Sequence, residues 1–326
     1  MKSMAILVPR NGGPDVLEYR EVDVPPPGPG EVQIRQTAIG LNYIDTYFRS
    51  GLYPPPAAFP YIAGEEGAGT VLAVGPDVTE FREGDRVAYP AAAGAYTAIR
   101  NVAAAKIVNV PDGIALETAA GMMMKGMTAE YLLNRTYKVG PDTILLFHAA
   151  AGGVGLIAGQ WAKALGATVI GTAGGPEKVA LAKRHGYDHV IDYNNEDFVT
   201  RVKDITGGKG VDVVYDSVGR DTFPMSLDCL KVRGLWVSFG QSSGAIDPIK
   251  ISILAQKGSL YATRPTIFSY LRDRKELDDC ANALFSVVRT GKVVINIGQT
   301  YPLADAARAH ADLENRRTSG TTLLIP

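Results

Sequence analysis

Cysteine and histidine are scarce in this sequence: its 326 residues include two cysteines, Cys229 and Cys280, and four histidines. The two cysteines are far apart and form no CxxC pair, so a four-cysteine structural zinc site is excluded. A framework of several disulfides is excluded as well, and so few cysteines are typical of a reducing compartment. We therefore expect a cytoplasmic protein.

A strong charge of either sign is also absent. The 33 Lys and Arg residues nearly balance the 34 Asp and Glu residues, which leaves a net charge of −1. A protein without a single-sign field is not drawn to nucleic acid or to an anionic membrane by its overall charge. The sequence thus predicts neither nucleic acid as the main partner nor association with a membrane.

Long apolar segments are limited to one stretch. The N-terminal apolar run, Met4–Val8, is too short for a secretory signal peptide. The 20 residues from Thr143 to Ala162 contain no Asp, Glu, Lys or Arg, and this length would span a membrane. They also contain four glycines, and their apolar periodicity changes midway, so we interpret them as a strand, a loop and a helix.

The first 120 residues consist of short apolar runs separated by glycine and proline. Such runs at this spacing predict an antiparallel, barrel-like domain. The predicted strands are Met4–Val8, Glu31–Arg35, Gly69–Val74 and Arg86–Tyr89.

From about residue 125, strand and helix patterns alternate. The predicted strands are Thr143–His148, Thr168–Thr172, His189–Tyr193, Val211–Tyr215 and Leu235–Phe239. The predicted helices are Val154–Leu165, Pro176–Arg184, Glu196–Ile205 and Thr222–Leu230. This alternation predicts a doubly wound parallel sheet.

The remaining tail has one long amphipathic helix, Asp273–Thr290, and one apolar strand, Thr321–Ile325. A tail of this size cannot bury a core alone, so we expect it to return to the N-terminal domain. The predicted domains are residues 1–124 with 265–326, and an inserted domain of residues 125–264.

A glycine-rich segment, Ala150–Gly155, lies between the most apolar strand and the most regular helix. Gly152 would let the backbone approach a pyrophosphate, and Gly155 would let the helix pack closely on the sheet. The helix N-terminus would supply N–H groups to the phosphates. The segment departs from GxGxxG at Ala150, but its strand–turn–helix context predicts dinucleotide binding rather than a glycine-rich turn without a ligand.

The same region indicates which dinucleotide binds. An NAD site usually carries an acidic residue about 20 positions on, which binds the ribose 2′-hydroxyl. No carboxylate occurs from Gly152 to Pro176, and the second strand ends in Gly174 before Lys178 follows. A glycine beside an ammonium group accommodates a 2′-phosphate, so we expect NADP(H), with a solvated helix lysine as the alternative for Lys178.

Five segments carry a resemblance to a known family: Asn42–Tyr53, Gly64–Val71, Phe147–Gly155, Tyr215–Gly219 and Leu323–Pro326. In these segments the chain resembles the zinc-free, ζ-crystallin-like NADPH:quinone oxidoreductases of the medium-chain dehydrogenase/reductase superfamily, and the similarity covers essentially the whole chain. The resemblance implies an α/β fold. A Rossmann domain with a doubly wound parallel sheet would be inserted into a GroES-like, antiparallel, barrel-like catalytic domain.

The resemblance also implies a reaction. Zinc alcohol dehydrogenases of this superfamily have a Cys where Asn42 stands and a His where Glu65 stands, so no metal is expected here. The implied activity is NADPH-dependent reduction of a quinone, by hydride or stepwise electron transfer, with protons from solvent. The resemblance further suggests a homodimer joined through an edge strand, for which we consider Ile246–Ile253.

The predicted catalytic residues are Asn42, Tyr47 and Tyr53. The Asn42 amide can donate and accept hydrogen bonds at once and would hold the nicotinamide carboxamide. Tyr47 and Tyr53 flank a Gly-Leu turn and could stack on a quinone, with a core or hinge role as the alternative. The resemblance implies a cofactor-binding set of Asn42, Asp45, Thr128, Gly152, Gly153, Val154, Gly174, Lys178, Tyr193, Ser217, Phe239, Gly240, Ser242, Arg264 and Arg316.

Some assignments stay open at this point. Either Arg316 or Arg317 could meet the 2′-phosphate, and Tyr193 could merely close the third strand. No residue stands out as a general acid. Lys125, His148 and Asp45 are conceivable, but His148 ends an apolar strand, so a buried structural role is expected for it.

Two other functions compete with quinone reduction. An NADPH-dependent enone or 2-alkenal reductase of the same superfamily would also place an electron-poor acceptor beside the nicotinamide. A role as an RNA-binding or structural, crystallin-like protein belongs to another class, and the balanced charge argues against RNA.

Overall fold

The computed structural model describes all 326 residues. The chain forms two compact units. One comprises Met1–Met127, Tyr270–Arg289 and Ile295–Pro326, and the other comprises Thr128–Ser269 and Thr290–Val294. We refer to them as the first unit and the second unit.

The chain contains sixteen strands and ten α-helices. The strands are β1 (Lys2–Val8), β2 (Glu18–Asp23), β3 (Glu31–Leu41), β4 (Tyr61–Ile62), β5 (Glu66–Val74), β6 (Arg86–Tyr89), β7 (Ile99–Ala103), β8 (Val108–Asn109), β9 (Ile144–Phe147), β10 (Thr168–Ala173), β11 (His189–Asp192), β12 (Val211–Asp216), β13 (Leu230–Ser238), β14 (Tyr261–Thr263), β15 (Ile297–Pro302) and β16 (Thr321–Ile325). The helices are α1 (Tyr43–Ser50), α2 (Leu116–Tyr131), α3 (Gly153–Ala164), α4 (Pro176–Arg184), α5 (Phe198–Ile205), α6 (Met225–Asp228), α7 (Ser252–Gln256), α8 (Ile267–Tyr270), α9 (Arg274–Arg289) and α10 (Ala306–Glu314).

The first unit is built on β3, an eleven-residue strand. It pairs antiparallel with β5, β7 and β16 in a seven-stranded sheet, and a three-stranded sheet has the order β2-β1-β4. In the pairing of β16 with β3, Leu323 lies opposite Gly40, so the C-terminal strand belongs to the sheet of the first unit. The core contains buried side chains of both sheets, including Ile6, Ile34 and Val87.

The second unit contains a six-stranded parallel sheet in the order β11-β10-β9-β12-β13-β14. This order is that of a doubly wound fold whose switch point lies between β9 and β12, where such folds bind ligands. Every residue of β12 is buried, as expected for a central strand of a parallel sheet with both faces covered. The predicted parallel sheet is therefore confirmed.

Two details of the second unit differ from the sequence prediction. The helix predicted from Thr222 to Leu230 spans only Met225–Asp228, because Pro224 precedes it and Leu230 already starts β13. The edge strand considered at Ile246–Ile253 is wrong: residues 246–250 form no strand and α7 follows. Pro248 has no N–H for a strand pairing. The actual edge is β14, which is too short to leave a clear sequence pattern.

The apolar stretch Thr143–Ala162 forms β9, a turn and most of α3, as interpreted from its glycines. None of the helices combines the length and the hydropathy that a membrane crossing requires.

Candidate functional site

The glycine-rich turn of the second unit lies between β9 and α3. Gly152 precedes the helix in extended backbone, and no side chain caps the helix there. The turn is tight, because the Gly152 N–H donates to the Ala149 carbonyl at 2.9 Å. A Cβ on Gly155 would lie 2.4 Å from the Ala149 oxygen. Gly153 and Val154, which open the helix, thus present backbone N–H groups suited to a phosphate.

The end of β10 forms a flat ledge. A Cβ on Gly174 would lie 2.5 Å from the Tyr193 hydroxyl oxygen, so a side chain at this position would displace the Tyr193 ring. Tyr193 is 43% exposed, and Lys178 lies in the first turn of α4. The structure brings Gly174 and Tyr193 into contact and places Lys178 on the helix that starts beside them.

One carboxylate near this ledge was missed by the sequence analysis. Asp192 ends β11 and accepts hydrogen bonds from the Gly175 N–H at 2.9 Å, the Asn194 N–H at 3.2 Å and the Asn195 amide at 2.9 Å. The Gly175 hydrogen bond is the main cause that lowers the pKa of Asp192. Asp192 lies outside the segment from Gly152 to Pro176 on which the coenzyme prediction was based. It comes close to Gly175 because β11 pairs with β10.

Five predicted cofactor residues lie where β12, β13 and β14 end. A Cβ on Gly240 would lie 2.7 Å from the Ser217 oxygen, which also accepts from the Ser242 N–H at 3.0 Å. The Phe239 ring packs 5.6 Å from that of Phe147 at the end of β9. Arg264 follows β14 and donates to the Ser238 oxygen at 2.8 Å. The carboxyl edge of the sheet therefore collects most of the residues predicted for this unit.

Two further predicted residues lie in a helix or directly after one. Thr128 is partly exposed in α2. Arg316 follows α10 in left-handed backbone, with φ 59°. Its neighbour Arg317 pairs with Asp312 at 3.1 Å.

In the first unit, Asn42 is the N-cap of α1 and is 8% exposed. Its side-chain Nδ2 donates to Glu66 Oε1 at 2.9 Å. The same Glu66 oxygen binds the buried Lys125 ammonium, and Glu66 Oε2 accepts from the Met124 N–H. Because Nδ2 is fixed by Glu66, the orientation of the amide is set and Oδ1 is left as its acceptor.

Tyr47 and Tyr53 lie together after Asn42. Their ring centroids are 5.2 Å apart, and the Tyr53 N–H donates to the Tyr47 carbonyl at 3.0 Å. Gly51 lies between them in left-handed backbone, with φ 82°, and ends α1. The structure thus brings the three predicted catalytic residues onto one short helix and its C-terminal turn.

Asp45 does not turn its side chain outward, as a cofactor ligand would. Its Oδ2 accepts from the Asn42 N–H and the Tyr96 hydroxyl, both at 2.8 Å, and its Oδ1 is buried without a partner. Burial raises the pKa of Asp45 to about 7. Its side chain is therefore an internal support for Asn42, and a direct side-chain contact with a cofactor does not fit this geometry.

His148, which was expected to be structural, is 1% exposed. Its ring nitrogens lie 3.0 Å from the hydroxyls of Thr172 and Ser226. Burial lowers its pKa, so the imidazole stays neutral within the core of the second unit.

Comparisons with known proteins agree with the features found in each unit. The model of the alcohol dehydrogenase GroES-like domain matches residues 28–141, and that of the zinc-binding dehydrogenase domain matches residues 153–284. Quinone oxidoreductase of Pseudomonas aeruginosa is 53% identical over 97% of both chains. The chain belongs to the quinone oxidoreductase family. The expected resemblance and the fold that it implies, GroES-like and Rossmann domains together, are confirmed.

Two other members of this group are informative. The solved structure of Escherichia coli quinone oxidoreductase complexed with NADPH has a TM-score of 0.97 and 51% identity, covering 99% of this chain and all of that one. The 2-haloacrylate reductase of a Burkholderia species is 46% identical over 99% of both chains.

The name of one matching domain model raises the question of zinc. No group of three or more His, Cys, Asp or Glu side chains in the structure is placed to hold a metal ion. The Asn42 amide nitrogen donates to Glu66, and both cysteines are buried elsewhere as free thiols. The side chains present therefore do not fit a zinc site.

The sequence analysis missed how this family member holds Asn42. Glu66 is 24 residues from Asn42 and 59 from Lys125, so no local spacing links the three. Only Glu66, and not the adjacent Glu65, bonds Asn42 and Lys125.

Glu65 generates a prediction about stability. It is 3% exposed, and burial, with a smaller contribution from Asp45, raises its pKa from 4.5 to about 8. Between these values the unfolded chain releases the proton that the folded protein keeps, so stability falls as pH rises, by at most about 1.4 kcal/mol per pH unit. In Glu65→Gln the free energy of unfolding, measured in urea from pH 5 to pH 9, should fall less steeply.

Glu83→Gln, at an exposed turn position, serves as the control and should keep the wild-type slope. Asp45 contributes a slope of the same sign up to about pH 7, so the Glu65→Gln slope should shrink without vanishing. An unchanged slope in Glu65→Gln would contradict the assignment.

Proposed function

We propose that this protein is an NADPH-dependent quinone oxidoreductase. The observation that carries the proposal is its likeness over the whole chain to a quinone oxidoreductase solved with NADPH. The glycine-rich turn, the Gly174 ledge and the anchored Asn42 amide are the features of this chain that suit that cofactor and that reaction. The 2-haloacrylate reductase is less similar, so reduction of a carbon–carbon double bond ranks second.

The pyrophosphate of NADPH is assigned to the turn before α3. The N–H groups of Gly153 and Val154 would donate to its oxygens, with the positive end of the helix dipole behind them. Gly152 leaves the approach free of side-chain atoms. No acidic residue lies in the first turn of α3 to oppose the phosphates.

The 2′-phosphate is assigned to Gly174, Lys178, Tyr193 and Arg316. Gly174 provides space, Tyr193 a hydroxyl donor, and the two basic side chains provide positive charge. Arg317, which pairs with Asp312, is the alternative to Arg316 as the phosphate ligand. The Asp192 carboxylate is matched by three N–H donors, which reduces its repulsion of the phosphate.

The nicotinamide end is assigned to Asn42, Thr128, Ser217 and Arg264, with the backbone around Phe239, Gly240 and Ser242. Asn42 Oδ1 would accept from the carboxamide, because Glu66 and Lys125 hold Nδ2 in place. Bound NADPH supplies the hydride for the reaction. The protein residues orient the ring and exclude water from it.

The quinone is assigned to the Tyr47 and Tyr53 pair. Their rings can stack on a planar acceptor, and their hydroxyls can donate to a carbonyl oxygen that gains charge. Protons come from solvent in this scheme.

The assembly and compartment are also proposals. Exposed apolar side chains at and near the β14 edge, such as Val232 at 67%, Ile251 at 74% and Tyr261 at 61%, suit a homodimer contact in the second unit. Two free, buried cysteines suit the reducing cytoplasm.

The first test of this function is NADPH oxidation with a panel of quinones, 2-alkenals and ketones, with and without a chelator. We expect quinone-dependent turnover that prefers NADPH to NADH and that the chelator leaves unchanged. Alkenal reduction without quinone reduction would favour the alternative. Loss of activity with chelator would contradict a metal-free reaction.

Lys178 generates a second prediction. In Lys178→Ala the dissociation constant of NADPH should rise about tenfold, since a charge-assisted hydrogen bond to the 2′-phosphate is lost. Because NADH lacks that phosphate, its dissociation constant should change little. Lys183→Ala, in the last turn of the same helix, is the control. Equal effects on both coenzymes would refute the assignment of Lys178 to the phosphate.

Asn42 and Tyr53 generate a third prediction. Asn42→Ala removes the acceptor for the carboxamide, so kcat/KM for the quinone should fall about 10- to 100-fold. In Tyr53→Phe, kcat/KM for the quinone should fall several-fold. In the control Tyr19→Phe, which changes an exposed tyrosine, kcat/KM should equal that of the wild type. Unchanged steady-state kinetics in both Asn42→Ala and Tyr53→Phe would overturn these catalytic assignments.

A further inference from the structure

A chain of buried polar side chains in the first unit connects two positions of helix α1. Arg49 and His310 are 2% and 0% exposed. Arg49 Nη1 lies 3.0 Å from His310 Nδ1, and His310 Nε2 lies 3.1 Å from the Tyr96 hydroxyl. The Tyr96 hydroxyl lies 2.8 Å from Asp45 Oδ2. Asp45 and Arg49 lie one turn apart on α1, so the chain closes on the helix where it began.

The chemistry of these groups fixes the direction of every hydrogen bond. A guanidinium group only donates, so His310 Nδ1 is an acceptor and the proton of the neutral ring is on Nε2. Nε2–H therefore donates to the Tyr96 oxygen, which leaves the Tyr96 O–H to donate to Asp45. Burial and the nearby Arg49 lower the pKa of His310 to about 3, which keeps the ring neutral.

We propose that Arg49, His310, Tyr96 and Asp45 form a hydrogen-bonded circuit that begins and ends on α1. The circuit positions this helix and thereby holds Asn42 in place for the nicotinamide. The inference rests on the proposed function for the role of Asn42, but the circuit itself does not. Its last member, Asp45, accepts from the Asn42 N–H at 2.8 Å, so the circuit ends on the backbone of the residue that it positions.

Contacts around the circuit hold its members in register. Arg49 Nε donates to the Gly12 carbonyl at 3.1 Å, and Nη2 pairs with Glu314 at 2.6 Å. The Tyr96 ring fills the space where a Cβ on Gly64 would stand, 2.0 Å from its Cδ1. These contacts fix Arg49 and Tyr96 from several sides, so we expect the loss of one hydrogen bond in the circuit to displace α1.

The charge of Asp45 gives the circuit a pH signature. The groups that act on it are Tyr96, Glu66, Lys125 and Glu65, besides the Asn42 N–H. Tyr61, Arg49 and the neutral His310 complete the surroundings. Burial raises the pKa of Asp45 and the Tyr96 hydrogen bond lowers it. Removing the Tyr96 hydroxyl should therefore raise this pKa further and weaken the hold on Asn42 at neutral pH.

The test compares Tyr96→Phe with Tyr89→Phe in the full-length protein. Tyr89 is as fully buried as Tyr96, and its hydroxyl bonds Gln36 outside the circuit. We measure the Asp45 pKa by carboxyl 13C NMR, the His310 tautomer by 15N NMR and the NADPH dissociation constant by fluorescence. Tyr96→Phe should raise the pKa of Asp45 by about one unit and the dissociation constant about tenfold, while Tyr89→Phe should change neither.

Several results would overturn the proposal: an Nδ1–H or charged His310 in the wild type at pH 7, or a Tyr96→Phe variant with unchanged NADPH affinity. If Tyr96→Phe does not fold, Asp45→Asn replaces it, and unchanged NADPH affinity there has the same meaning. The NMR readouts need no turnover. A wild type with this His310 tautomer and no quinone reduction would therefore refute the proposed function and leave the circuit intact.

Discussion

The catalytic half of this molecule depends on the burial of one carboxylate, that of Glu66. The side chain is fully buried, and its charge is tolerable only because Lys125, the Asn42 amide and the Met124 N–H all bind it. Removing one partner of such a pair typically costs about 3–5 kcal/mol, since an uncompensated charge remains. The interaction joins β5, α2 and the start of α1. It therefore couples the position of Asn42 to the packing of two other elements.

The second unit also buries a carboxylate, but it balances that carboxylate with neutral hydrogen-bond donors instead of a lysine. Asp216, at the end of β12, is also fully buried, but its partners are neutral donors. They include the Val218 N–H at 2.9 Å and the hydroxyls of Thr222 and Ser226. These bonds hold the loop that carries Ser217 against the end of β12. Neutral donors suffice here because a single carboxylate accepts several hydrogen bonds at once.

The sequence predicted most of the architecture because the relevant signals are local. Apolar runs and glycine positions located the strands and helices of the parallel sheet, and Gly152 to Gly155 located the turn at its carboxyl edge. The neighbours of Asn42 could not be found in this way, since Glu66 and Lys125 come from distant segments. Asp192 shows the same limit. It lies outside the segment from Gly152 to Pro176, and the pairing of β11 with β10 brings it next to Gly175.

Asp192 bears directly on the choice of coenzyme. In an NAD site the acid at this edge is useful because it accepts from the ribose hydroxyl. Here the carboxylate instead accepts from the Gly175 N–H and from Asn194 and Asn195, so its oxygens are engaged in shaping the turn. A carboxylate with three N–H donors has fewer acceptor positions left for a ribose hydroxyl, and the Tyr193 hydroxyl occupies the position that a side chain on Gly174 would take. In the proposed site, the Asp192 carboxylate therefore shapes the turn after β10, and Lys178 supplies positive charge for the 2′-phosphate of NADPH.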